Sequence, residues 1–289
     1  MREAIYIACH VPPYKLYLVN QKIFAPNSDL EDFVKCYWTL EGSKDETPQK
    51  NTIVPDGTMK LIFHYGDLYR HYPKSDSSIL LPRSFLIGQL TKPYVVEPTG
   101  ETGIFFVRFH PNGFLPFTTI PIKEMENTAV TLEKLFGESG LEIEQKIINA
   151  NTNMERIDLI QSFLINRLTD DKLIDKIVQS TIETITTANG QLSINELSKQ
   201  TELNRRFLAR KFSSTIGLSP KQLSKIVRLQ TTLKTLLTKD VSKLTDLAHE
   251  NEYFDQAHFI KDFKEFTGLT PKEFYGDHLK MSLIFDTKK

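Results

Sequence analysis

The chain has 289 residues, 40% of them hydrophobic and 25% charged, with 36 basic residues balanced by 36 acidic ones. That length leaves room for two domains of ordinary size, the apolar content excludes a disordered chain, and no apolar run approaches the ~20 residues that a membrane-spanning helix needs. Cys9 and Cys36 are too few for a metal cluster and suit a reducing compartment, and Met1-Arg2-Glu3 opens a mixed segment rather than a basic-then-apolar secretory signal, so the expected location is the cytoplasm and no membrane partner is expected.

In chain order, residues 1–168 read first as strands. Lys15 to Phe24, Phe33 to Leu40, Met59 to Tyr65, Ser84 to Leu90 and Ile104 to Phe109 are short alternating or aromatic-rich segments. Turn signals punctuate them at Pro26-Asn27-Ser28, Pro55-Asp56-Gly57, Tyr65-Gly66-Asp67 and Pro98-Thr99-Gly100. Their close spacing predicts a β-rich sandwich or barrel. From Leu132 the period becomes helical, with Leu141 to Ile148 and Met154 to Leu168 carrying apolar residues three and four apart; these helices are expected to cover one face of the β domain or to pair with a second subunit.

The last third repeats itself. Phe212-Ser213-Ser214-Thr215-Ile216-Gly217-Leu218-Ser219-Pro220-Lys221 is matched 51 residues later by Phe263-Lys264-Glu265-Phe266-Thr267-Gly268-Leu269-Thr270-Pro271-Lys272. Ile194-Asn195-Glu196-Leu197-Ser198 is matched by Leu244-Thr245-Asp246-Leu247-Ala248 at an offset of 50. Each copy carries helix-turn-helix signals. Ser193 with Glu196 reads as a capping box. Asn204 caps a second helix, Leu208 and Phe212 share a buried face, and Arg206 and Arg210 share the opposite one. Gly217 stops that helix, and Ser219-Pro220 starts the next. In the second copy Asp255 caps, Phe259 and Phe263 face inward, Gly268 stops and Thr270-Pro271 restarts, with Gln256, His258 and Lys261 facing out. Leu223, Ile226, Val227, Leu233 and Leu236 predict a connecting helix from Pro220 to Leu237. The charge is uneven: residues 190–289 hold 17 Lys and Arg against 12 Asp and Glu, a net of +5, which leaves −5 for residues 1–189. The basic half is the one with the repeat, as phosphate neutralisation requires.

Residues 172–277 resemble the C-terminal domain of the AraC/XylS family of bacterial transcription regulators. Tyr253-Phe254-Asp255-Gln256-Ala257-His258-Phe259-Ile260-Lys261-Asp262-Phe263-Lys264, followed by Gly268-Leu269-Thr270-Pro271, carries the resemblance most strongly. The resemblance implies two helix-turn-helix bundles joined by one long helix. The chain departs from the family at Glu252, where Gly is usual, and at Lys261, where Arg is usual. Lys is a point charge where Arg forks onto guanine, so the second copy is expected to grip phosphates more than read bases. Residues 1–168 are similar, more loosely, to the N-terminal domain of a subgroup of that family, through Phe33-Val34, Tyr37-Trp38, Val54-Pro55-Asp56-Gly57, Leu61-Ile62-Phe63, Gly88 placed in a middle strand, and Val107-Arg108-Phe109-His110-Pro111. In the wider family such domains sense small molecules or mediate dimerisation.

The expected architecture is therefore a two-domain α+β chain: a β-rich sensory or dimerisation domain over 1–168 with covering helices, an all-α double helix-turn-helix domain over 172–277, and a tail over 278–289. The expected partner is double-stranded DNA, read in the major groove by Asn204, Arg205, Arg206, Arg210, Gln256, His258 and Lys261 with Asp255 at the second cap, and held at phosphates by Lys221 and Lys272. Arg228, on the connector, is expected to bridge the two modules. Trp38, Asp56 and Arg108 are candidates for a ligand pocket: an inward Arg108 needs a carboxylate, from Asp56, Glu97 or a ligand. A small-molecule effector, a homodimer and contact with RNA polymerase are implied by the resemblance alone. No cofactor or metal is expected, since His64, His71 and His110 lack the His-x-His pair with a following Glu of metal-binding barrels. The alternative is a DNA-repair or modifying enzyme that uses the same module for targeting. Cys36 lacks the Pro-Cys-His-Arg context of the methyl-accepting enzymes of that kind, and no Gly-rich phosphate loop or Gly-x-Ser-x-Gly elbow occurs, so the expected protein is not an enzyme.

Overall fold

A computed structural model of the chain describes residues 20–43, 50–168, 175–238 and 256–274. Among the described residues the N-terminal part has ten strands: β1 (Asn20–Phe24), β2 (Val34–Gly42), β3 (Asn51–Ile53), β4 (Lys60–His64), β5 (Tyr69–Lys74), β6 (Ser77–Leu80), β7 (Ser84–Ile87), β8 (Tyr94–Pro98), β9 (Thr102–Phe109) and β10 (Ala129–Thr131). They form a six-stranded sheet in the order β1-β2-β9-β4-β7-β10 and a four-stranded sheet in the order β3-β8-β5-β6. Each pairing is antiparallel.

Alternation along the central strands assigns their side chains to two cores. Tyr37, Leu61, Phe63, Phe105, Val107 and Phe109 point to one face of the large sheet, where they pack with Ile143, Ile147, Ile157, Ile160 and Leu164. Those residues come from α2 (Glu138–Asn149) and α3 (Asn153–Ile165), which follow the short α1 (Leu132–Phe136). Trp38, Leu40, Ile62, Ile104 and Phe106 point to the other face and meet Tyr69, Tyr94 and Val96 of the small sheet. With both faces covered, β4 and β9 are almost wholly buried.

Five strands escape the sequence patterns, namely β3, β5, β6, β8 and β10. They line the small sheet or the edge of the large one; β6 is exposed throughout, and β5 carries Pro73 at a register irregularity between His71 and Lys74. Gly88 is not in a middle strand. It follows β7, and a Cβ there would stand 1.8 Å from the Met125 carbonyl oxygen, so its place is set by the 3-10 turn Ile122–Met125 crossing over it.

The C-terminal part is helical: α4 (Lys176–Thr187), α5 (Ile194–Gln200), α6 (Arg205–Ile216), α7 (Pro220–Thr238), α8 (Gln256–Thr267) and α9 (Pro271–Glu273). The expected connector is α7; α4, capped by Asp175, has no counterpart in the sequence reading. Leu223, Ile226, Leu229 and Leu233 of α7 lie in one cluster with Leu208 and Phe212 of α6 and Phe259 and Phe263 of α8. Among the described residues no helix is long and apolar enough to cross a membrane.

The two parts meet at the turn Pro55-Asp56-Gly57. Val54 belongs to the helical cluster, Gln230 Nε2 donates to Pro55 O at 2.7 Å, and Gly57 lies against α7 so closely that a Cβ would stand 2.9 Å from Leu223 Cδ1. Gly57 also takes a φ of +71°, so the position favours glycine twice over. Behind the turn, Asp56 is buried between Lys60 and Arg108, with Oδ2 at 2.8 Å from Lys60 Nζ and 3.0 Å from Arg108 Nη2. Thr58 donates to Asp56 Oδ1 through both its amide, at 3.1 Å, and its hydroxyl, at 2.8 Å. Burial alone pushes the Asp56 carboxyl up, but the two cations outweigh it and hold the group well below the usual carboxylate range. Lys35 occupies a bulge in β2, between Val34 and Cys36, and is drawn down to about 8 by burial and by Arg108.

Replacing Asp56 by Ala takes the carboxylate from between two buried cations and should destabilise the protein by about 3 to 5 kcal/mol in urea unfolding at neutral pH. His64 generates a second expectation. Burial lowers its pKa from 6.5 to about 4, so its contribution is intact above pH 6.5 and is lost as pH falls toward 4. Unfolding at pH 7 and pH 4.5 should differ by about 2 to 3 kcal/mol on its account, a difference that His64→Phe removes.

Candidate nucleic-acid interface

The first module is assembled by local capping. Ser193 and Glu196 form the expected box, with Ser193 N donating to Glu196 Oε2 at 2.8 Å and Glu196 N to Ser193 Oγ at 3.3 Å. The turn between α5 and α6 is closed by Ser198 Oγ donating to Leu203 O at 2.6 Å, with Glu202 in the left-handed region at φ 54°. A glutamate is thus accommodated in this turn; Glu252, which sits 50 residues further on, lies outside the described residues.

Asn204 caps α6, its Oδ1 accepting from Arg206 N at 2.8 Å. One face of α6 buries Leu208, Phe212, Thr215 and Ile216. The opposite face exposes Arg206, Phe207, Arg210 and Ser214. Arg205 is also exposed but is engaged by Asn195 of α5, its guanidinium donating to Oδ1 at 2.7 Å. Lys211 is drawn back to Asp175, the cap of α4, at 2.6 Å. Gly217 ends the helix in the left-handed region, and Ser219 with Gln222 closes the start of α7, Ser219 N donating to Gln222 Oε1 at 2.9 Å. Lys221, on the first turn of α7, is exposed.

The second module has the same plan where it is described. Phe259, Phe263 and Phe266 of α8 are buried, Ala257, Lys261, Lys264 and Glu265 are exposed, and Gly268 takes a positive φ. Thr270 forms a capping box with Glu273 at the start of α9, whose first turn also carries Lys272. Gln256 and His258 stand on the first turn of α8, 51 positions after Arg205 and Phe207; Asp255 and the repeat's Leu244 to Ala248 lie outside the described residues. Arg228 donates to Gly190 O at 2.8 Å and so ties the connector to the first module. Lys225 makes the link to the second, reaching Asp262 at 2.9 Å and Glu265 at 3.2 Å.

In the β part, Trp38 and Arg108 point to the same side of the large sheet. Trp38 stacks on Phe106 at 5.1 Å, and Arg108 lies two residues along the same strand. The carboxylate that meets Arg108 is Asp56; Glu97 instead accepts from Tyr72 OH. The three candidate histidines each bond a backbone carbonyl on a different segment: His64 at Pro82, His71 at Val95 and His110 at Glu31. Sequence reasoning passed over Lys60, whose apolar surroundings in Leu61-Ile62-Phe63 hide a buried ammonium, and Phe207, which periodicity leaves off the buried face.

Two family models match the chain. A Domain of unknown function (DUF6597) covers residues 22–131, and a Helix-turn-helix domain covers residues 197–276. Among curated proteins, uncharacterized HTH-type transcriptional regulators of Staphylococcus aureus strains MSSA476 and MRSA252 are each 33% identical over 86 residues, 30% of this chain. The match spans 11% of the length of those relatives. Among solved structures, an apo ToxT variant from Vibrio cholerae is 12% identical, covering 87% of this chain and 98% of that one at a TM-score of 0.45. The C-terminal domain of AraT, a response regulator from Geobacillus stearothermophilus, is 18% identical over 40% of this chain and 97% of that one, at a TM-score of 0.35. The Helix-turn-helix domain match thus falls on the helical part, over residues 197–276, and the match to a domain of unknown function on the β-rich part, over residues 22–131.

Proposed function

We propose that the chain is a sequence-specific DNA-binding transcription regulator and acts without chemistry of its own. The observation that carries this reading is the outward face of α6, where Arg206 and Arg210 project from a helix whose other face is locked by Leu208 and Phe212. Two such helices held by one connector suit successive major grooves on one side of a duplex, about 34 Å apart. In this reading Arg206 and Arg210 meet base edges in one groove, and Gln256, His258 and Lys261 enter the other. Asn204 and Asp255 cap the two helices, Arg205 braces α6 against α5, and Lys221 and Lys272 hold phosphates at helix starts.

The domains we assign are a regulatory unit over 1–168, a DNA-binding unit over 172–277 and a tail over 278–289. A small molecule or a second copy of the chain acting on the front domain reaches the reading helices through the turn Pro55-Asp56-Gly57, which rests on α7. It reaches them also through Ile122, whose Cγ2 would lie 3.0 Å from a Cβ at Gly217. Asp56 and Arg108 are paired behind that turn, and Trp38 stacks on Phe106, two residues from Arg108 in β9. The proposed place of work is the cytoplasm, with RNA polymerase as the partner for activation.

Selection of bound duplexes from a random library by the full chain should return a two-part site with centres about one helical turn apart. On that site Arg210→Ala should cost about 1 to 3 kcal/mol and relax preference at one base pair, whereas Lys221→Ala should weaken all sequences alike and lower the salt slope by about one. Binding with no preference at any ionic strength would overturn the reading.

A further inference from the structure

Phe207 projects from α6 on the side that carries Arg206 and Arg210, and 38% of it is exposed. It stands three residues before Arg210 and seven before Ser214, positions that fall on one side of a helix. Its ring belongs neither to the buried cluster of the helical part nor to the apolar side chains packed against that cluster. The ring is nonetheless braced. The Lys211 ammonium lies 5.5 Å from its centroid and is itself held by Asp175 at 2.6 Å. Part of an aromatic ring is thus presented on the outward face of α6 beside Arg206, Arg210 and Ser214, outside the core, where it is available to whatever that face meets.

In the major groove the base edges offer hydrogen-bond donors and acceptors and one apolar group, the 5-methyl of thymine. An aromatic edge cannot satisfy a donor or an acceptor there, but it can cover a methyl. The repeat places His258, a second ring, at the same position of α8. We infer that Phe207 is a specificity residue that reads the 5-methyl group of a thymine next to the base pair met by Arg210. This rests on the DNA-binding reading above and adds to it the chemical group that the first module selects.

Replacing a single thymine by uracil removes the methyl and leaves the pairing edges unchanged, which gives a direct test on the duplex selected by the full chain. One such replacement in the half-site of the first module should weaken binding about three- to fivefold, the worth of one methyl buried. Phe207→Ala should weaken binding to the thymine duplex by a similar factor and bind the thymine and uracil duplexes equally, while Phe207→Leu keeps part of the difference. Because Phe207 is outside the core, the Ala variant should show the parent's helical circular dichroism and unfolding midpoint. An undiminished preference for thymine in Phe207→Ala, or indifference of the parent chain to each replacement, overturns the inference and leaves the DNA-binding reading standing. Absence of sequence preference in the parent chain overturns both.

Discussion

One carboxylate between two cations fixes how the halves of this molecule meet. Asp56 is buried with Lys60 and Arg108 against it, and Thr58 fills the remaining acceptor positions. A buried ion pair of this kind adds little net stability over an apolar equivalent, because the desolvation of the charges consumes most of their attraction. Its value is directional. The carboxylate can satisfy both partners only where strands β4 and β9 place them side by side, Lys60 opposite Arg108 in the ladder, so the turn that carries Asp56 has one position. That turn is the surface on which α7 lies, and the connector inherits its place from the charge cluster behind it.

The consequence reaches both α6 and α8. Gly217 and Gly268 end α6 and α8 at equivalent points of the repeat, and each faces the β part: Ile122 stands at 3.0 Å from a Cβ at the first, and Pro93 at 3.5 Å from one at the second. The front domain therefore touches the same corner of each module. In the proposed function, with α7 seated on the turn and both corners braced, a change in the front domain is passed on as a shift of packed elements rather than by loosening one helix, since close-packed contacts of this kind have discrete arrangements.

Much of the helical part was legible because its signals are local. Ser193 with Glu196, Asn204, Gly217 and Thr270-Pro271 each fix a terminus through groups within four residues, and these sit where their chemistry required. The β part was legible only where a strand is central. β4 and β9 are apolar because both faces are covered, whereas in the small outer sheet β3 has only three residues, β5 and β6 are largely exposed beyond Tyr69, and β8 is a five-residue strand ending in Glu97-Pro98, too short for its alternation to stand out. The pairing of Arg108 with Asp56 spans 52 residues and depends on a register that no local pattern encodes. Lys60 was missed for the same reason: a charged residue ahead of an apolar run reads as a solvated strand end until the opposite strand supplies a reason to bury it.

The two copies of the module have diverged in a direction that charge and shape explain. Where α6 exposes Arg206, α8 exposes Ala257, and where α6 exposes Arg210, α8 exposes Lys261. The second helix has thus exchanged two forked donors for a methyl group and a point charge, and a point charge meets a phosphate as well as a base. Part of its outer surface is also committed inward, since Glu265 and the buried Asp262 are held by Lys225 of the connector. In the proposed function this divides the labour. The first module supplies the geometry that distinguishes one base pair from another, and the second supplies affinity that depends on ionic strength more than on sequence. The rigid connector is what makes the division effective: a duplex that satisfies α6 brings α8 to its phosphates without further loss of freedom, so weak contacts at the second site strengthen binding at the first.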